Sequence, residues 1–177
     1  MKRTARGFTL VELLVVIAII AILAAVVVLV INPIELTKRS RDASRMTDLA
    51  NLQQAINIAV QEATGSSEAI LCAKTGAAPC TAESETGGRT NDGEGWVMVD
   101  FSAQKSVSVS TLPVDPTNSG IYVYTYKSNG VGWEINAVLE SESYKSKMDT
   151  DGGNADKDTP PAGSAARYEV GTDLTII

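Results

Sequence analysis

The chain opens with a continuous apolar run from Phe8 to Ile31, 24 residues long and broken by a single ionisable side chain, Glu12. As a helix it reaches about 36 Å at roughly 1.5 Å per residue, enough to cross a bilayer core of about 30 Å. A carboxylate inside such a segment costs on the order of 2.5–3.5 kcal/mol on insertion scales, so Glu12 needs a reason to be there. Ahead of the run stands Met1-Lys-Arg-Thr-Ala-Arg-Gly7, short, basic and free of acids. An ordinary secretory signal would place its cleavage site after a shorter apolar stretch, behind small residues. Here the Gly7–Phe8 junction precedes the run. Charge fixes no orientation, because Lys2, Arg3 and Arg6 before the span are matched by Lys38, Arg39, Arg41 and Arg45 after it.

Gly7 followed by Phe8-Thr-Leu-Val-Glu12 and the apolar run resembles the N-terminus of type IV prepilins and of type II secretion pseudopilins. The resemblance covers Arg6 to about Ala25. It implies cleavage between Gly7 and Phe8 by a prepilin peptidase, which then N-methylates Phe8. It also implies that Glu12 pairs with the amine of Phe8 on a neighbouring subunit during assembly. A buried carboxylate and a buried ammonium each cost energy alone in an apolar bundle, and pairing offsets part of both. Leader residues 1–7, a transmembrane and assembly helix over 8–31, its amphipathic continuation over 32–64 and a β-rich head over 65–177 are the expected divisions. The fold class expected is α+β, a pilin fold with its long helix packed on a small antiparallel sheet. The precursor would sit in the inner (cytoplasmic) membrane with a cytoplasmic N-terminus, and the assembled subunit in a surface filament.

Net charge is −6, and removing the leader's three positive charges takes it to −9. An acidic chain argues against nucleic acid as a direct ligand, since phosphate neutralisation needs concentrated Lys and Arg. There is no histidine, which removes the commonest general base and transition-metal ligand. A non-enzymatic role is expected. Cys72 and Cys80 enclose seven residues, a spacing of neither a redox nor a zinc motif. Beyond the membrane the pair is expected to oxidise; two free thiols are the alternative.

Asn32-Pro33 should kink or unwind the helix, because proline lacks the amide donor and clashes with the preceding turn. The pattern then resumes through Leu36, Ala43, Met46, Leu49, Ala50, Gln53, Ile56, Ala59, Val60 and Ala63, with Thr64-Gly65 as the stop. The basic cluster Lys38, Arg39, Arg41 and Arg45 reads as a solvated face, or else as one that meets acid on the next subunit. Residues 66–95 read as an exposed connection. Strands are expected at Trp96–Phe101, more weakly at Val107–Val109, then at Ile121–Tyr126 and Val131–Leu139 around a Ser128-Asn129-Gly130 turn, with a short closing strand near Tyr168–Leu174. Leu112-Pro-Val-Asp-Pro116, which excludes a central strand, also resembles the major pseudopilin and many short pilins.

Asp149, Asp151, Asn154, Asp156 and Asp158 gather oxygen donors around Gly152-Gly153, a composition that suits a hard cation such as calcium. Major pseudopilins are similar in carrying a calcium loop near this place. Pro160 stands where an EF-hand would put its bidentate glutamate, so a solvated acidic loop is the alternative. Together with the resemblance, these features lead to the expectation of a structural pilin of a type IV pilus serving motility, adhesion or DNA uptake. Its partners would be copies of itself, the prepilin peptidase and the inner-membrane assembly platform. The alternatives are a type II secretion major pseudopilin and a membrane-anchored, calcium-dependent binding protein. Conductive fibres are disfavoured, because Phe8 is the only aromatic residue before Trp96.

Overall fold

The computed structural model describes residues 7–102, 104–106, 108–156, 158 and 165–176. The leader up to Arg6, Val107 and Pro160 lie outside the described residues. The chain divides into two compact units, residues 1–37 and 38–177.

In the first unit, α1 spans Leu10–Ile31. Its window Leu10–Val28 has a mean hydropathy of 3.2 and none of it is buried, so the helix is long and apolar enough to cross a membrane. Asn32 ends it in the left-handed region, at φ 44°. Its backbone amide caps α1 by donating to Val28 O, while its Oδ1 accepts from Glu35 N. The expected interruption thus falls at Asn32, and α2 starts with proline at its first position, where the missing amide costs nothing.

α2 runs Pro33–Glu62. Its buried residues are Asp42, Arg45, Leu49, Leu52, Ala55, Ile56 and Ala59. The expected stripe was right at Leu49, Ile56 and Ala59 but not at Leu36, Ala43 and Ala50, which are exposed, while Leu52 and Ala55 belong to the core. The physical reason is that Asp42 and Arg45 hold the inward positions of the helix's first half through ion pairs, so an apolar stripe does not mark that face.

A four-stranded antiparallel sheet has the order β1-β2-β3-β4, with β1 at Cys80–Glu83, β2 at Thr125–Ser128, β3 at Trp133–Ala137 and β4 at Tyr168–Gly171. Short helices α3, Ser67–Leu71, and α4, Glu142–Lys145, flank it. Register places Tyr126 opposite Ile135 and Ile135 opposite Val170. These join Tyr124, Trp133, Leu49, Leu52 and Ile56 in one core. A turn joins β2 and β3 as expected, but the strand before it is displaced: of Ile121–Tyr126 only Thr125 and Tyr126 are strand, and Ser128 ends β2 instead of opening the turn. Gly130 adopts φ 87°, and Asn129 Oδ1 accepts the amides of Val131 and Gly132.

Further strand expectations are corrected, the weak one at Val107–Val109 among them, since Ser108 and Val109 are not strand. Trp96–Phe101 is not a strand, although Trp96, Val97, Met98, Val99 and Phe101 are all buried. Its backbone bonds go to loops instead, with Trp96 N donating to Gly88 O, Phe101 N to Asn91 O, and Met98 O accepting from Ala73 N. Only an isolated bridge, Asp92 with Asp100, remains of the ladder. Conversely, β1 lies within the segment read as an exposed connection. It pairs Cys80 with Ser128 and Glu83 with Thr125, as the sheet's edge.

Candidate processing and assembly site

Thr9 and Glu12 close the N-terminus of α1. Thr9 Oγ1 accepts from Glu12 N at 3.2 Å, and Thr9 N donates back to Glu12 Oε2 at 2.9 Å. The Thr9 hydroxyl also donates to Oε2 at 2.7 Å. This is a capping box: two amides at the end of the helix are satisfied by side chains three residues apart. All three bonds use one carboxylate oxygen or the threonine hydroxyl. Glu12 Oε1 accepts no hydrogen bond among the described residues. The carboxylate is therefore held at the N-terminus of the helix by one of its two oxygens. Phe8 is exposed beside it, as are the described large apolar side chains of α1. Thr9 was legible in the Thr-x-x-Glu spacing ahead of an apolar run, though the sequence reading singled out Glu12 and Phe8.

The second unit contributes another arrangement, which corrects the reading of the basic cluster as a solvated face at Arg41 and Arg45, while Arg39 is exposed. Arg45 is fully buried. Its Nε and Nη2 reach the two oxygens of Asp115 at 2.6 and 2.8 Å, and Nη1 reaches Asp42 Oδ1 at 2.8 Å and Glu140 Oε1 at 2.7 Å. Arg41 clamps the same Glu140 from Nε at 2.8 Å and Nη2 at 2.5 Å. The Arg41 hydrogen bond first, and Arg45 with it, hold the Glu140 carboxyl down at about 2 against burial. Asp42 accepts the backbone amides of Glu140 and Ser141, fixing the chain between β3 and α4 to the helix. Asp115 belongs to the Leu-Pro-x-Asp-Pro segment, which the network anchors.

Cys72 and Cys80 are joined by a disulfide, which ties the end of α3 to the start of β1.

The acidic loop is distributed. Asp151 faces inward, its Oδ1 accepting from Gly153 N at 3.0 Å and its Oδ2 from Glu169 N at 2.8 Å. Asp149 and Asp158 are exposed, Asp156 is half-buried, and Asn154 Oδ1 is buried without a hydrogen-bond partner. Behind the loop, Glu169 Oε2 accepts from Ala155 N and Glu134 Oε2 from Ile176 N. Burial pushes the Glu169 carboxyl up to about 8, and the neighbouring Glu134 and Asp151 add to it. Among the described residues, no three or more acidic or cysteine side chains are gathered as a metal ion would require.

Residues 2–28 match the prokaryotic N-terminal methylation motif, so the chain carries the class III leader peptide of type IV pilin-like prepilins. The match spans the Gly7–Phe8 junction, Thr9, Glu12 and most of α1. No curated protein and no solved structure matches the chain. The long apolar helix and the small antiparallel sheet make up the α+β class expected from the sequence.

Proposed function

We propose that the protein is the structural subunit of a type IV pilus, cut between Gly7 and Phe8, N-methylated at Phe8, and polymerised through α1. The carrying observation is the Thr9–Glu12 capping box at the head of an exposed apolar helix, directly after the junction in the methylation motif. It presents a carboxylate oxygen beside the position where cleavage would create an amine. The filament serves motility, adhesion or DNA uptake, and no chemistry is assigned to the subunit. A gene deletion tests this: surface filaments and surface motility should both disappear and return on complementation. Loss of protein secretion with motility intact would instead place the chain in a type II secretion pseudopilus, which shares the same leader and helix.

Calcium binding by the 149–158 loop is a separate proposal. Its support is the oxygen-rich composition and the unpartnered Asn154 oxygen. A melting temperature identical in millimolar calcium and in chelator would sink it.

A further inference from the structure

A groove of about 460 Å³ lies between α2 and a second wall made by Ser106, residues 108–111 and Pro113. Asp48, Asn51 and Gln54 line its helix side, and Ser108, Ser110 and Thr111 the other. Asp48 is the one acid in this lining. Its Oδ2 accepts from the buried Tyr124 hydroxyl at 2.9 Å, which holds the carboxylate in place. Asp42, Asp115 and Glu140 nearby each have an arginine, whereas Asp48 has no ion-pair partner among the described residues. Burial pushes its carboxyl up, and Asp115 adds to the effect. A half-buried anion without a cation among the described residues, at the edge of an open groove that Leu52, Ala55 and Ile58 also line, fits a partner that brings one.

The same helix carries a candidate for that role. Arg41 and Arg45 are spent on Glu140, Asp42 and Asp115, but Lys38 is half-exposed and makes no ion pair among the described residues. We propose that the groove is a contact between copies of this chain, in which Lys38 of one copy enters beside Asp48 of the next. Ten residues separate the two, so they stand about 15 Å apart along α2 and about 80° apart around it. A contact between different patches of identical subunits is heterologous, and where its rotation does not close it extends into an open helical array. The inference rests on the filament reading and supplies it with a contact beyond α1, on α2.

The test measures sheared filament yield, with wild type and Glu12→Ala run alongside. Lys38→Asp and Asp48→Lys should each lower the yield at least tenfold, and the double exchange should recover most of it. Asp48→Asn, which keeps an acceptor for Tyr124, should also lower the yield, with the thermal unfolding of the detergent-solubilised subunit unchanged. Wild-type yield from Asp48→Asn and Lys38→Asp, or a double exchange no better than the singles, overturns the contact while leaving the filament reading intact. Absence of filaments from wild type would instead remove that reading, and the contact with it.

Discussion

The guanidinium of Arg45 and the carboxylate of Asp115, seventy positions apart in the chain, meet side-on through two hydrogen bonds of 2.6 and 2.8 Å, both side chains fully buried. The fork geometry of arginine matches a carboxylate in a way lysine cannot. Arg45 also lies over the Tyr122 ring at 5.2 Å. One residue of α2 thereby fixes the chain before β2 and the chain after β3.

Arg45→Met would leave Asp42 and Asp115 buried without their cation. Removing one partner of a buried ionic network costs about 3–5 kcal/mol, because the remaining charges stay desolvated. Denaturant unfolding of the detergent-solubilised protein should show a loss of that size. Arg45→Lys should recover only part of it. A loss below about 1 kcal/mol for Arg45→Met would remove the network from its anchoring role.

Acid should loosen the same region. Glu140 is held at about 2 in the fold, chiefly by the Arg41 hydrogen bond, against about 4.3 in an unfolded chain. A depressed carboxylate contributes stability that is present above its unfolded value and lost as pH falls toward the folded one. Melting temperature should therefore fall between about pH 4.5 and 2, and Glu140→Gln should flatten that part of the profile. An unchanged acid slope in the variant would assign the loss to other groups.

The disulfide makes a third prediction. Cys72→Ser with Cys80→Ser should destabilise the head by roughly 2–3 kcal/mol in the chain-entropy account of so short a loop. Differential scanning calorimetry of both forms checks this. An unchanged melting temperature would mean that the pairing of β1 with β2 holds without the staple.

What could be read from the sequence divides along physical lines. The apolar run, the break at Asn32-Pro33 and the Asn-Gly turn are local signals, set by composition and by backbone dihedrals, and each appears in the structure. Trp96–Phe101 misled because strand-like burial can be satisfied by loops whose amides find non-ladder partners. Cys80–Glu83 was missed because an edge strand after proline has little apolar pattern of its own and exists through its pairing with β2. The Arg45 network was hidden for a different reason. Its members come from three distant segments, and an arginine looks solvated until the acids that bury it are placed around it. At the N-terminus the opposite held, since Thr9 and Glu12 are three residues apart and their contact is local.

Assembly should depend on Glu12 far more than insertion does. Glu12→Ala removes an expensive charge from an apolar helix, so membrane insertion should hold or improve. It also removes the proposed acceptor for a neighbour's amine and breaks the capping box. Sheared filament yield should fall sharply while the membrane pool of subunit persists. Filaments at wild-type numbers would end the proposed role of Glu12.

The most direct test of the central claim is mass spectrometry of the N-terminal peptide from purified filaments. The account predicts that it begins at Phe8 and carries one methyl group on the amine, and that Gly7→Val leaves an uncut precursor in the membrane. A peptide that retains Met1, or one that begins after Ala25, would contradict it.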